Sequence, residues 1–234
     1  MPRHARVSPD GFVQHVLNRG DHRETLFHKP GDYRAFLSIL SETAHRIPMR
    51  ILAYCIMRNH FHLLLWPYKG EDLPHFMHLL MTVHISRYRK HYPPASPGHI
   101  YQSRYTNSLV EQGKSLFHVA RYVEANALNA GLVERAQDYE WSSASPSAND
   151  DERPDLSEWP ISKPKDWPTF VNLRTPSSEL KRLQRLGARG APIGTSDWTK
   201  GIAKVYRLEH TIRRNGRPST RESHVPIEDA ATQT

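Results

Sequence analysis

The sequence predicts an α+β fold of the ferredoxin-like, split βαβ type, in which a largely antiparallel sheet carries helices on one face. Two observations lead to this prediction. The apolar pattern alternates between the periods of strand and helix in the order β-α-β-β-α-β, and a further helix follows. The 234 residues are 38% apolar, which is enough material for a substantial core.

The first four elements follow from local patterns. Residues 11–20 (GFVQHVLNRG) have the pattern of a strand, and residues 33–46 repeat apolar side chains at helical spacing after Asp32, a suitable N-cap. Residues 50–57 (RILAYCIM) form the apolar run of a central strand. Residues 60–66 (HFHLLLW) follow a two-residue turn, so we predict that they pair with this strand as a hairpin.

Three more elements complete the unit. Helical spacing of apolar side chains predicts a second helix over residues 73–91. Residues 101–110 are predicted to form another strand. A third helix is predicted from Gly113 to Gly131, a typical residue to follow a helix C-terminus.

The C-terminal third differs in composition. Six prolines from Pro146 to Pro176 predict an irregular connector, which we expect to pack through its tryptophans, and two short helices are predicted over residues 178–186 and 196–207. The predicted organisation is a domain of residues 1–145, a Pro- and Trp-rich connector of residues 146–177, a basic helical extension of residues 178–218 and a disordered tail of residues 219–234.

Composition excludes several classes of protein. No apolar run approaches the roughly 20 residues of a membrane span, and residues 1–4 (MPRH) do not resemble a signal peptide, so we expect a soluble, cytoplasmic protein with no membrane partner. The single cysteine, Cys55, excludes an internal disulfide framework and a cysteine-based zinc site. No Walker-type glycine loop is present, so we expect no nucleotide cofactor.

Positive charge is concentrated near the C-terminus. Residues 174–218 hold 11 Lys and Arg against 3 acidic residues, an excess equal to the net charge of +8 of the whole chain. Such a segment indicates a polyanion binder, with a solvated basic face as the alternative, and Gly216-Arg217-Pro218 suits an arm in a DNA minor groove. Phosphate contacts are predicted for Arg182, Arg185, Arg189, Lys200, Lys204, Arg213, Arg214 and Arg217, with Arg87, Arg89 and Arg104 nearer the candidate site.

Two histidines are the first candidates for chemistry. Side chains alternate along a strand, so His60 and His62 share one face and Phe61 and Leu63 the other. Two imidazoles about 7 Å apart on the sheet's free face can share a divalent ion and leave its other positions open. Such a pair also occurs by chance in a chain with 15 histidines.

A tyrosine is the second candidate. His118, Tyr122 and Asn126 follow at spacings of four on the third helix and share a face apart from its apolar stripe, so we expect Tyr122 to face a cleft. A half-buried surface tyrosine is the plainer alternative. A phenol with a pKa of about 10 needs a nearby cation to act as a nucleophile. Together, a two-histidine metal site, a tyrosine and a basic chain suit attack on a phosphodiester.

At this point the chain resembles the REP-associated tyrosine transposases, members of the single-tyrosine HUH superfamily of IS200-like transposases. The resemblance covers roughly residues 10–145 and, more loosely, the chain to residue 218. The matching motifs are HVLNRG at residues 15–20, AYCIMRNHFHLL at 53–64, YQSRY at 101–105, RYVEAN at 121–126, AGLV at 130–133 and YEWSS at 139–143.

The resemblance implies an HUH nuclease domain in which His60, His62 and Asn126 hold Mg²⁺ or Mn²⁺ and Tyr122 is the nucleophile. Such enzymes cleave and rejoin single-stranded DNA from palindromic repeats that fold as hairpins, through a 5′-phosphotyrosine intermediate. The implied protein is bacterial, and either a monomer or a homodimer.

Two positions depart from the family pattern. Arg58 stands where a proline usually precedes Asn-His, and we expect it to add a phosphate contact beside the metal. Asn126-Ala127 stands where Asn-Pro is usual, and we expect Ala127, in place of the proline, to extend the third helix.

Two other functions stay open. One is a catalytically inactive hairpin-DNA-binding protein on the same scaffold. The other is a metal hydrolase of small molecules, which leaves the basic C-terminal segment unexplained.

Overall fold

The computed structural model describes residues 6–92, 98–146 and 153–213, and its core is a four-stranded antiparallel sheet of order β2-β3-β1-β4. The strands are β1 (Val13–Arg19), β2 (Met49–Met57), β3 (His60–Pro67) and β4 (Thr106–Val110). The helices are α1 (Pro30–Arg46), α2 (Asp72–His91), α3 (Lys114–Glu124), α4 (Asn126–Asn129), α5 (Trp167–Asn172), α6 (Ser177–Arg189), α7 (Ser196–Val205) and α8 (Glu209–Ile212). This order is that of the split βαβ unit, so the predicted fold class is confirmed.

Helices cover both faces of the sheet. On one face, α1 and α2 pack on Phe61 and Leu63 of β3. On the other, α3 and α6 pack on Leu52 and Leu64. The predicted placement of helices on one face therefore holds only for α1 and α2. The physical reason lies in β2, which is apolar on both sides and so requires cover on both.

Two predicted boundaries differ from the structure. α1 begins at Pro30, and the carboxylate of Asp32, inside its first turn, accepts hydrogen bonds from the backbone N–H groups of His28 (2.8 Å) and Lys29 (3.1 Å). Asp32 therefore caps this helix from within and is not its N-cap. The strand predicted from residue 101 begins at Thr106.

The predicted third helix is broken in two. α3 ends at Glu124, Ala125 has φ −86° and ψ 13°, and α4 follows. The Glu124 carbonyl accepts a hydrogen bond from the Ser142 hydroxyl (3.2 Å) instead of continuing the helical ladder. The predicted extension of the third helix through Ala127 is therefore wrong, since Ala127 lies in the separate helix α4. Gly131, at φ 70°, follows the helical segment as predicted.

The chain after residue 140 borders both edges of the sheet. Beside β4, Ile193 pairs with Val110, and its N–H donates to the Leu109 carbonyl (2.8 Å). Beside β2, the N–H groups of Ser143 and Ser157 donate to β2 carbonyls at 2.9 and 2.8 Å.

The predicted C-terminal helices are present as α6 and α7, and α6 buries Leu183 and Leu186 against the sheet. α5 adds a short helix inside the predicted connector. The domain boundaries stay predictions, and residues 219–234 lie outside the described part of the chain. Within residues 6–92, 98–146 and 153–213, no helix combines the length and apolarity needed to cross a bilayer.

Candidate active site

The site forms where β3 meets α3. His60 and His62 point to the α3 side of the sheet with Leu64, whereas Phe61 and Leu63 enter the opposite core, as strand alternation predicts. The two imidazole rings lie 5.1 Å apart between centroids, at an interplanar angle of 83°. The face predicted to be free is covered by α3.

Tyr122 places its ring against this pair. The ring makes edge-to-face contacts with His62 (5.3 Å between centroids) and with His15 of β1 (5.8 Å). Only 5% of the Tyr122 surface is exposed. The predicted cleft position is therefore wrong, because Tyr122 is packed between α3 and the imidazoles of the sheet.

Asn126 joins the tyrosine to the histidines. Coming after the break at Ala125, its side chain lies close enough to His60 and Tyr122 to shift the pKa of both groups, and the Nδ1 of His60 is hydrogen-bonded to Oδ1 of Asn59 (2.7 Å). The structure thus brings together Tyr122, His60, His62 and Asn126. His118, predicted on the same helix face, instead contacts the Glu179 carboxylate of α6 through its Nδ1.

Burial sets the charge states of these groups. It lowers the pKa of His60 to about 4, helped by the positive charge of Arg19, and it lowers the pKa of His62 well below the usual value. Burial raises the pKa of Tyr122 to about 12, although the neighbouring amide of Asn126 and the charge of Arg19 oppose this shift. At neutral pH both imidazoles are neutral and the phenol is protonated.

The donor set fits an open divalent-metal site. Neutral imidazoles and an amide oxygen are metal ligands, and His60, His62 and Asn126 supply them in one place. In the three described stretches of the chain, no three His, Cys, Asp or Glu side chains group to enclose an ion. An ion held here would have to complete its shell with oxygens of water or substrate.

Sequence reasoning missed two residues of β1. Arg19 lies opposite His60 in the sheet register, and its charge acts on His60, His62 and Tyr122. His15 contacts both His62 and Tyr122. Alternation along β1 places both on one face, but the sequence alone does not show that this face adjoins His60 and His62.

The predicted phosphate contacts are dispersed. Arg58, on the turn before β3, donates through its Nε to Thr25 (3.0 Å) and is exposed. Arg87 is paired with Glu42 (3.2 Å) and faces away from the site. Lys200 and Lys204 of α7 are exposed, as are Arg182, Arg185 and Arg213. Arg214 and Arg217 lie outside the described residues.

A basic groove runs along the β4 edge, between α2 on one side and α6 and α8 on the other. Its volume is about 730 Å³. The groove adjoins the site through the loop after Ile100, where the Gln102 N–H donates to the Arg19 carbonyl (3.0 Å). No carboxylate is among its lining side chains in the described ranges, whereas four arginines are: Arg6, Arg89, Arg104 and Arg189.

Comparison with known proteins identifies a family and a similar fold. Residues 11–126 match the family model described as "Transposase IS200 like". None of the curated proteins compared with the chain matches it. The fold is similar to that in a structure of the REP-associated tyrosine transposase bound to a REP hairpin, with a TM-score of 0.51 and 16% identity, over 70% of this chain and 98% of that one.

Proposed function

The chain belongs to the family of IS200-like transposases, and from this premise we propose that it cleaves and rejoins single-stranded DNA in a metal-dependent reaction with Tyr122 as the nucleophile. The observation that carries the proposal is the contact between Tyr122 and the two-histidine site. The Tyr122 ring packs on His62, and Asn126 lies close enough to Tyr122 and His60 to shift the pKa of both. The proposed nucleophile therefore lies beside the proposed metal ligands, which supports this reaction.

Mg²⁺ or Mn²⁺, held by His60, His62 and Asn126, would polarise the scissile phosphate when bound. Tyr122 Oη then attacks the phosphorus, and the bond from phosphorus to the 3′ oxygen breaks. The products are a 5′-phosphotyrosine and a 3′-hydroxyl, which receives the phenol proton. Rejoining is the reverse step with a 3′-hydroxyl as the attacking group, so no nucleotide cofactor is needed.

Arg19 assists the phenol in this scheme. Its positive charge lowers the pKa of Tyr122 against the effect of burial. The phenolate that develops during attack is therefore partly balanced by a fixed cation of β1.

The proposed substrate is hairpin DNA from palindromic repeats. The similar structure is of a protein bound to a REP hairpin, and the basic groove beside β4 offers this chain a path for a polyanion. Tyr122 contacts His62 of its own chain, so a single chain can supply the proposed nucleophile and metal ligands, either as a monomer or within a homodimer. A DNA substrate also agrees with action in the bacterial cytoplasm.

The test uses a single-stranded hairpin oligonucleotide from repeats beside the gene, with Mn²⁺ and a denaturing gel. We expect a covalent adduct that carries a 3′-end label, while a 5′-end label marks a free fragment. Tyr122→Phe should abolish the adduct and leave hairpin binding within about twofold, because the ring packing is kept. His60→Ala should abolish it as well, and Tyr88→Phe, in α2, should retain it. Adduct formation by Tyr122→Phe would place the nucleophile elsewhere.

The alternative is a hairpin-binding protein without cleavage, and the near-complete burial of Tyr122 favours it. This function predicts hairpin binding that a chelator does not change and no adduct with any divalent ion. The same gel and a binding titration with EDTA separate the two functions.

A further inference from the structure

His15 is the buried neighbour of the candidate metal ligand His62. Its Nε2 lies 2.9 Å from Nδ1 of His62, a hydrogen-bonding distance, and the two rings stack in parallel at 5.1 Å with an interplanar angle of 7°. The two histidines are 1% and 2% exposed. They are diagonal neighbours in the pairing of β1 with β3, which places His15 opposite Leu64.

Helix α6 closes the other side of the His15 ring. A Cβ atom placed on Gly187 would lie 3.0 Å from Cε1 and 3.2 Å from Nδ1 of His15. The helix backbone therefore approaches the ring as closely as a residue without a side chain allows. The Thr106 hydroxyl donates to the Gly187 carbonyl (3.1 Å), which ties this point of α6 to β4.

The hydrogen bond decides which nitrogen of His62 can bind a metal. If Nδ1 of His62 donates to His15, Nε2 of His62 keeps its lone pair for an ion. If His15 donates instead, Nε2 of His62 carries the proton and is blocked. An apolar side chain at position 15 would satisfy packing alone, so the buried pair of imidazoles points to a polar role.

We propose that His15 is a positioning residue that accepts the Nδ1 hydrogen of His62 and thereby directs its Nε2 toward the metal, with Gly187 of α6 holding the His15 ring in place. This inference rests on the proposed function. It also extends the metal site to a part of the chain beyond the family match, because α6 lies after residue 126.

The experiment titrates the full-length protein with Mn²⁺, without DNA, and follows free Mn²⁺ by electron paramagnetic resonance. We expect His15→Leu to weaken binding about 10- to 100-fold. His15→Gln keeps an acceptor near the position of Nε2, so it should bind within about threefold of the wild type. Thermal unfolding of each variant is measured in parallel.

A glycine pair tests the contribution of α6. Gly187→Ala should weaken Mn²⁺ binding by about three- to tenfold, since the added methyl group displaces the His15 ring. Gly201→Ala in α7 is the matched control, because a Cβ at position 201 meets no atom within 4 Å. Alanine has a higher helix propensity than glycine at both positions. A loss of Mn²⁺ affinity in Gly187→Ala alone therefore cannot result from a less stable helix.

A spectroscopic readout addresses the tautomer itself. In ¹⁵N-histidine spectra of the Mg²⁺-loaded protein, His62 should be protonated at Nδ1. Protonation at Nε2 would overturn the inference. Wild-type Mn²⁺ affinity in His15→Leu would overturn it too. So would a result in which His15→Leu and His15→Gln lose the same Mn²⁺ affinity and the same thermal stability, because the acceptor kept in His15→Gln would then make no difference. A wild type that binds no Mn²⁺ would instead contradict the metal site of the proposed function, and this inference with it.

Discussion

Burial changes the acid–base behaviour of a histidine outside the candidate site. His84 of α2 is 5% exposed, and its Nδ1 is hydrogen-bonded to the Tyr101 hydroxyl (2.7 Å). Burial lowers its pKa from 6.5 to about 4, against a small opposing effect of Asp32. Between pH 6.5 and pH 4, the imidazole is therefore mostly neutral in the native protein and mostly protonated in the unfolded chain. Folding thus becomes coupled to pH.

This coupling predicts how stability changes with pH. Below pH 6.5 the unfolded chain gains a proton on His84 that the native state does not accept, so the free energy of unfolding falls as pH falls toward 4. At pH 5 the loss from this residue is about 2 kcal/mol. His84→Gln keeps an acceptor for Tyr101 but does not titrate. Urea unfolding at pH 7 and pH 5 should show the wild type losing about 2 kcal/mol more than the variant, and equal losses in both would contradict the prediction.

At the same scale, the sequence predicts local geometry but not distant pairing. Alternation along β3 correctly places His60 and His62 on one face, because the side-chain period of a strand is fixed. The contacts of His15 and Arg19 depend on the register between β1 and β3, which are separated by more than 40 residues. Long-range register of this kind results from packing of the whole sheet.

Helix α3 is held in position from outside the split βαβ unit. Arg121, next to the candidate nucleophile, is 5% exposed and pairs with Glu179 of α6 (3.2 Å). Its guanidinium also lies over the Phe170 ring of α5, 4.9 Å from the ring centroid. Two C-terminal helices therefore fix the helix that carries Tyr122.

The pair of Arg121 with Glu179 predicts a stability effect. Glu179→Gln leaves the buried Arg121 cation without its carboxylate and removes the partner of His118. We expect the free energy of unfolding to fall by about 1–3 kcal/mol in urea titrations. Glu134→Gln, an exposed carboxylate, is the control and should change it by less than about 0.5 kcal/mol. Equal stability of the two variants would show that this pair contributes nothing.

The ends of helices are harder to predict from the sequence than the helices themselves. Apolar spacing predicts the third helix, but its break at Ala125 depends on a hydrogen bond to the Glu124 carbonyl from Ser142, 18 residues away. The same limit applies to α6. Its amphipathic pattern is visible in the sequence, yet its packing against β4 and β1 is a tertiary result.

At the scale of the whole molecule, part of the positive charge lies along one groove. Arg6, Arg89, Arg104 and Arg189 come from distant parts of the chain and line it together. The charge count of the sequence predicts a polyanion partner and finds an excess of +8 in residues 174–218, while Arg89 and Arg104 are predicted separately, nearer the candidate site. The fold brings N-terminal and central arginines to the same place, which a linear count cannot show.

Two arginines of α2 allow the contribution of the groove to DNA binding to be distinguished from that of general surface charge. Arg89 lines the groove, whereas Arg87, two residues earlier, is paired with Glu42. We expect Arg89→Gln to weaken hairpin-DNA binding several-fold and to reduce the slope of log affinity against log salt by about 1. Arg87→Gln should leave both quantities unchanged. Fluorescence anisotropy from 50 to 200 mM salt measures them, and identical slopes for the two variants would rule out a phosphate contact at Arg89.

The pairing of later chain segments with both edges of the sheet has a consequence for self-association. An open edge strand offers unpaired N–H and C=O groups on which a second chain can add its own strand. Here Ile193 occupies the β4 edge, and Ser143 and Ser157 occupy positions along β2. The segment beyond the family match thus shields the sheet from templating aggregation, and a chain shortened to the family-matched stretch would lose that protection.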